Sequence, residues 1–199
     1  AVGVADPGVG RPFDADRQGR SLGEGAAVLV LARERPSAFT DGPDLYLAGW
    51  GASSEAHHMT QPDPEGDGSA RTMAAALACA GLAPGDIGYL NLHGTATPQN
   101  DTAEARGVAK AFGTRVVAGS TKGYTGHLLG AAAAVEAAIS LIALTQQRLP
   151  PSLNLVRKDP DVAIDLLDAV TPAPGIRYAL SNSFAFGGND TSLIFGVRR

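Results

Sequence analysis

Gly119-Ser120-Thr121-Lys122-Gly123-Tyr124-Thr125-Gly126-His127 places a lysine and a histidine five residues apart in a glycine-loosened stretch that runs into an alanine-rich helix. A second histidine, His93, sits in Asn91-Leu92-His93-Gly94-Thr95-Ala96-Thr97-Pro98, a small-residue loop after an apolar strand. A histidine in the first turn of a helix feels the positive end of the helix dipole, which disfavours its protonation. Such a neutral imidazole can donate a hydrogen bond to a carbonyl oxygen and stabilise developing negative charge. The other reading of His127 is a helix cap or a buried hydrogen-bonder. For the turn after His93 the choice is between ligand binding and an ordinary Thr-capped helix entry, with the Thr95 and Thr97 hydroxyls serving either purpose. No nucleophile accompanies these residues. Cys79 lies in an alanine-rich helix without a neighbouring base, and free cysteine there is expected to be buried as a small hydrophobe.

Lys122 in surroundings of small and apolar residues needs an anionic partner or it loses its proton. Glu136 interrupts the apolar run that follows, so a Lys122–Glu136 pair is one reading and two solvated side chains the other. Phe184-Ala185-Phe186-Gly187-Gly188 puts two aromatics beside paired glycines between two strand-like segments. It reads either as a hairpin turn or as a place where backbone and a ligand approach closely. His57 and His58 lack metal-ligand spacing and read as surface loop residues, and no metal site is expected.

The elements that must hold these side chains follow from pattern and punctuation. The 199 residues suffice for one domain with a real core, and 44% hydrophobic with 18% charged residues describes a folded globular chain. A net charge of −4 gives no electrostatic reason to expect nucleic acid or an anionic membrane as partner. The single cysteine rules out an internal disulfide and makes a reducing cytoplasm the expected location. The N-terminus lacks the pattern of a signal peptide. The apolar run from Leu128 to Leu144 is short for a bilayer and reads as a buried core helix. Residues 1–20 are expected to be largely irregular. The continuous run Gly25 to Leu31 suits a strand buried on both faces. Further strands are expected at Leu45 to Gly51, Ile87 to Leu92, Val116 to Ala118, Tyr178 to Ser183 and Thr191 to Val197. Helices are expected from a Ser69 cap to Gly81, from Asn100 or Asp101 to Gly113, and from about Gly126 to Gln146. Strand and helix alternate in the middle and paired strands close the chain, so the class is α/β with a mixed sheet.

The order and spacing of the motifs carry more than each motif alone. Arg11-Pro12-Phe13-Asp14-Ala15-Asp16-Arg17-Gln18-Gly19 with Gly23-Glu24-Gly25-Ala26, then His93-Gly94-Thr95-Ala96-Thr97, then Lys122 with Gly126-His127, then Asn182-Ser183-Phe184-Ala185-Phe186-Gly187-Gly188, closely resemble the C-terminal half of β-ketoacyl-acyl-carrier-protein synthases. The resemblance covers essentially the whole chain, residues 1–199. It implies the second half of a thiolase-like α/β/α/β/α fold, with the nucleophilic cysteine in an N-terminal half outside these residues. A thiolase proper fits less well, because its second half carries a cysteine near the final Gly-Gly turn.

By this resemblance His93 and His127 polarise the malonyl thioester carbonyl and stabilise the enolate left by decarboxylation, and Lys122 with Glu136 is the supporting ion pair. Thr95 and Thr97 hold the phosphopantetheine arm of an acyl carrier protein, the carrier of the substrate, and no cofactor is expected to be bound. Phe186 is the aromatic gate, with Phe184 and Gly187 lining the substrate side. Two departures stand out: Ala185 where the family has glycine, expected to restrict gating, and Asp190, which adds a charge. The His-Gly-Thr-Ala-Thr-Pro-Gln-Asn-Asp run resembles specialised polyene or polyketide enzymes more than housekeeping ones. Two functions follow from the resemblance. The chain supplies these residues to a fatty acid or polyketide condensing enzyme whose cysteine comes from another segment or chain, or it is a truncated, non-catalytic subunit that stabilises or modulates a full ketosynthase. In both, the apolar face that packs on the sister half would be exposed, and the isolated chain is not expected to be a stable monomer.

Overall fold

The structure is a computed structural model that describes residues 8–34 and 41–198. The expectations for residues 1–7, an irregular start without a leader pattern, lie outside the described residues. Residues 8–20 are irregular, as expected.

A six-stranded sheet runs in the order β1 (Asp44–Ser54), β8 (Asn189–Arg198), β7 (Tyr178–Ala185), β2 (Tyr89–Asn91), β3 (Val117–Gly119) and β5 (Asp165–Leu166). β1, β8 and β7 pair antiparallel, whereas β7, β2, β3 and β5 run parallel, which makes the sheet mixed. The short strands β4 (Arg148–Leu149) and β6 (Thr171–Pro172) form a separate antiparallel pair. Four α-helices, α1 (Asp67–Ala80), α2 (Pro98–Phe112), α3 (Lys122–Thr125) and α4 (Ala132–Gln146), lie among the described residues.

Strand side chains alternate across the pleat, and that alternation divides the core. Leu90, Leu180 and Ile194 face α1 and α2, where they meet Met73, Ala76, Leu77, Ala105 and Val108. Their neighbours Tyr89, Ala179 and Phe195 face the other way, onto Ala137 and Leu144 of α4. The result is three layers: two helices, the sheet, and one helix.

Helix boundaries follow from local chemistry. Gly81 takes φ 65° and donates to Ala78 O and Leu77 O, while Leu82 N–H reaches Leu77 O at 3.0 Å, so α1 ends in a glycine cap as its sequence predicts. Its start differs: Gly66 occupies the cap position, and Ser69 lies inside the first turn with its Oγ donating to Gly66 O. α2 begins two residues before Asn100, because Pro98 is preset for the first helical position.

Three expectations are corrected. Gly25 to Leu31 is not a strand; Val28 is 89% and Val30 90% exposed. Cys79 is exposed on the outward side of α1, not buried, since the inward side is filled by Met73, Ala76 and Leu77. The continuous helix from Gly126 is broken: α3 ends at Gly126, where φ is 66°, and a 3₁₀ turn at Leu129–Ala131, with Leu129 at φ 52°, intervenes before α4. Residues 129–146 are long and apolar enough to pass for a membrane span, yet only a third of the stretch is buried. α4 is thus a core helix on one face only, and Ile142 on its other face is 53% exposed.

Candidate active site

The parallel strands β7, β2 and β3 all end at one edge of the sheet. His93 follows the C-terminal end of β2, Lys122 that of β3, and Phe184 is the penultimate residue of β7. In α/β sheets this is where ligands bind, because loops leaving parallel strands converge there without blocking one another. The imidazoles of His93 and His127 lie edge to face, 5.3 Å between centroids, and Phe184 packs 5.5 Å from His93. Both open onto a cleft of about 640 Å³ that is also lined by Thr95, Thr97, Phe184, Phe186 and Gly187. The two histidines, two threonines and two phenylalanines named for the site from the sequence therefore line one cavity.

Lys122 and Glu136 are behind it. Lys122 is 4% and Glu136 1% exposed, with Nζ and Oε1 2.5 Å apart, so of the two readings the pair is the one realised. Burial pushes the Glu136 carboxyl up and the Lys122 charge opposes that shift. The same Nζ is 3.3 Å from His93 Nδ1.

Both imidazoles are held neutral. Burial, then Lys122, holds His93 well below the usual histidine range, with His127 and Arg20 adding to the effect. Burial also lowers His127, to about 4, again reinforced by Lys122 and Arg20. The neutral state expected from the helix dipole is thus reached by another cause, since His127 stands outside α4. The tautomers follow from the hydrogen bonds. The backbone N–H of Leu129 donates to His127 Nδ1 at 3.2 Å, and the Lys122 ammonium faces His93 Nδ1. With Nδ1 accepting in each ring, the proton of each neutral ring sits on Nε2. Each ring thus has an N–H donor of the kind that stabilises a carbonyl oxygen gaining negative charge.

The loops that carry the rings are locked differently. His93 N–H and Gly94 N–H donate to the two oxygens of Glu104, each at 2.8 Å, and Asn182 Nδ2 donates to Oε1 at 3.1 Å. Gly94 has φ 34°, and a Cβ there would come 2.5 Å from Ser120 Cβ and 2.7 Å from the Phe13 ring. Ala96 follows at φ 64°, a left-handed conformation that strains any L side chain. Thr97 takes the N-cap position of α2 without a side-chain cap; its hydroxyl is 2.8 Å from that of Thr95 instead. His127 is fixed through its main chain: its N–H donates to Ser21 O at 2.7 Å, and Gly23 N–H donates to its carbonyl at 3.2 Å.

The C-terminal turn is a tight hairpin, as one reading had it, but it also lines the cleft. Gly187 and Gly188 have φ of 85° and 71°, whereas Ala185 is not left-handed and takes its methyl without backbone strain. Phe186 is 49% exposed, with the Arg20 guanidinium 5.3 Å from its ring. Gly187 N–H donates to Met59 O and Glu55 N–H to Gly188 O, so the loop after β1 braces this turn. His57 and His58 are exposed, as expected, but His58 borders the cleft and its Nδ1 accepts from Thr60 and Gln61.

Several residues here escape a reading of the sequence. Glu104, 1% exposed, has its carboxyl raised to about 7 by burial, against the hydrogen bonds from Gly94, His93 and Asn182. Asp101, pushed up by burial to about 6, accepts from Phe13 N–H at 2.7 Å and lies 3.6 Å from Arg17. Arg17 also binds Asp159, which ties the irregular lead-in to the body of the chain. Asp101, Glu104, Ala105 and Val108 form the buried stripe of α2. Two carboxylates on the apolar face of a helix were the available signal. Asp190, the family departure, is 3% exposed, and burial followed by Glu55 and Glu104 raises its carboxyl to about 8.

Paired neutral imidazoles backed by a buried ion pair lie at the C-terminal edge of a layered mixed sheet, and the sheet and its helices are those of a thiolase-like half. Comparison with known proteins makes this specific. The family model described as beta-ketoacyl synthase, C-terminal domain, matches residues 46–156. The chain is 44% identical over 192 residues to 3-oxoacyl-[acyl-carrier-protein] synthase 2 of Vibrio cholerae, covering 93% of this chain and 46% of the relative. It is 40% identical over 190 residues to the enzyme of the same name from Synechocystis, with 93% and 45% covered. Among solved structures, a ketosynthase in complex with its chain length factor from Xenorhabdus doucetiae superposes with a TM-score of 0.84 at 38% identity, over 97% of this chain and 47% of that one. The ishigamide ketosynthase/chain length factor gives 0.83 at 32% identity, over 99% and 49%. The chain belongs to the β-ketoacyl synthase family and corresponds to its C-terminal half. It spans about half the length of the relatives it matches.

Proposed function

We propose that this chain supplies one side of the active site of a β-ketoacyl-acyl-carrier-protein synthase in fatty acid or polyketide synthesis. The observation that carries the reading is that Nδ1 of each imidazole is engaged, which leaves two Nε2–H groups for one oxygen. In the reaction the bond between the malonyl α-carbon and its carboxylate breaks and CO₂ leaves. The electron pair becomes an enolate, whose oxygen His93 and His127 stabilise. The enolate carbon then attacks an acyl thioester on a cysteine from outside these residues, and the thiolate departs. Thr95 and Thr97 hold the pantetheine arm of the acyl carrier protein, and Phe186 stands at the entrance. The bare faces of α4 and of residues 25–31 fit the half that carries the cysteine, with the chain in the cytoplasm where carrier and reduced thiol are available.

The test uses the enzyme assembled with the cysteine-bearing half. His93→Ala or His127→Ala is expected to lower malonyl decarboxylation by a factor of about 10² or more while acyl loading of the cysteine persists. Unchanged decarboxylation would leave the chain as a non-catalytic subunit that stabilises or modulates a ketosynthase.

A further inference from the structure

Two cations stand at this site, and among the described residues only one is paired with an anion. Lys122 is matched to Glu136. Arg20 lines the cleft together with both imidazoles, and its guanidinium enters no ion pair or side-chain hydrogen bond among the described residues. Among the described residues its Nε is buried without a hydrogen-bond partner, and the guanidinium lies over the face of Phe186. An unpaired guanidinium against an aromatic ring, half withdrawn from water, keeps its planar donor fork free and oriented. Of the carboxyl groups in the same wall, Glu55 accepts from Asp63 N–H through Oε2, Asp190 is buried beside Glu55, and neither forms an ion pair with Arg20.

We propose that Arg20 binds the carboxylate of the extender thioester, so that the cleft selects carboxylated over uncharged acyl groups. The inference rests on the condensing reading above and names the group that recognises its substrate. Guanidinium and carboxylate match as a two-pronged pair, stronger than a neutral hydrogen bond. Held there, the carboxylate lies in the cleft that both imidazoles line. When the α-carbon–carboxylate bond breaks, the carboxylate leaves Arg20 as CO₂ and the charge moves to the enolate oxygen under the two Nε2–H donors. Arg20 is then unpaired again, and its field favours that oxygen anion and opposes protonation of the rings.

The experiment compares wild type, Arg20→Gln and Arg20→Lys in the assembled enzyme. Calorimetry measures the binding of two non-cleavable pantetheine amides, one malonyl and one acetyl. Wild type is expected to prefer the malonyl amide by about tenfold or more. Arg20→Gln abolishes that preference, Arg20→Lys retains part of it, and acetyl-amide affinity stays constant across the three. A preference intact in Arg20→Gln, equal weakening of both amides, or no preference in wild type would each overturn the proposal. Weakened assembly with the preference intact would overturn it too, placing Arg20 at the contact with the other half. Binding is read without turnover, so a wild type that binds selectively but does not decarboxylate malonyl groups sinks the condensing reading alone.

Discussion

His93 is held by side chains and His127 by main chain. Around His93 the locks are the Glu104 carboxylate, Asn182 and the Lys122–Glu136 pair. Around His127 they are Ser21 O, Gly23 N–H and Leu129 N–H, three backbone groups. The first mounting depends on charges that burial disfavours, with Glu104 raised to about 7, and so it responds to substitution and to pH. The second depends on how closely two chain segments approach. It is insensitive to titration but intolerant of added volume, because Gly23 lies against the Thr125 carbonyl.

Breaking the side-chain mounting should have the largest effect. Glu104→Leu leaves the His93 and Gly94 N–H groups buried without acceptors. Each such group costs about 1–3 kcal/mol, and turnover in the assembled enzyme should fall by a factor of about 10² or more. Glu104→Gln retains one acceptor oxygen and should fall between wild type and Leu. Denaturant unfolding read beside decarboxylation checks both. Equal behaviour of Gln and Leu would show that volume, not the carboxylate, holds the loop.

Crowding the main-chain mounting should come next. A Cβ at Gly23 would lie 1.9 Å from Thr125 O, so Gly23→Ala must push residues 21–23 away from His127. A loss of about 1–3 kcal/mol is expected, with a fall in decarboxylation that pH does not modify. A pH-dependent loss would mean that this side also leans on a titrating group.

The smallest effect concerns Asp190, on the His93 side. Its carboxyl, ordinarily at 3.8, is raised to about 8 by burial, Glu55 and Glu104, with Arg71 opposing. The unfolded chain therefore loses this proton first as pH rises. The stability tied to the neutral form is complete below about pH 4 and is lost progressively up to about pH 8. Asp190→Asn is neutral throughout, so the decline in melting temperature between about pH 5 and about pH 8 should shrink. An unchanged slope would place the titration at Glu104 instead.

Much of this was legible in the sequence, for reasons that also explain the failures. Gly81 and Gly113 mark helix ends because a glycine at positive φ turns the chain away while its N–H still reaches a last-turn carbonyl, and both do so here, at φ 65° and 76°. Tyr178 to Ser183 and Thr191 to Val197 pair as antiparallel neighbours within slightly longer strands. The site residues were legible because their motifs are ordered, and the structure gathers His93, His127, Thr95, Thr97, Phe184, Phe186 and Gly187 into one cleft. Gly25 to Leu31 failed because a continuous apolar run reports only that its residues favour burial, not what buries them; no strand pairs with it among the described residues. Cys79 failed because the small residues of α1 disguise which side faces inward. Glu104 and Arg20 were missed because neither carries its partner nearby in sequence: one is matched 10 and 11 positions away, and the other's side chain has no hydrogen-bonding partner among the described residues.

The convergence of β7, β2 and β3 on one edge also sorts the molecule by what it tolerates. Chain entering those strands at the opposite edge is exposed at Gly85, Thr114 and Gly175, and a Cβ at Gly85 would meet nothing within 4 Å, whereas Gly175, at φ 87°, is held to glycine by its backbone alone. Length can change there without moving an imidazole, since a full strand separates each turn from the cleft. A residue added within β2, by contrast, would reverse which side Leu90 and Tyr89 present and carry His93 away from its partners. Variation in this chain thus has a permitted side and a forbidden one, set by the direction in which three strands run.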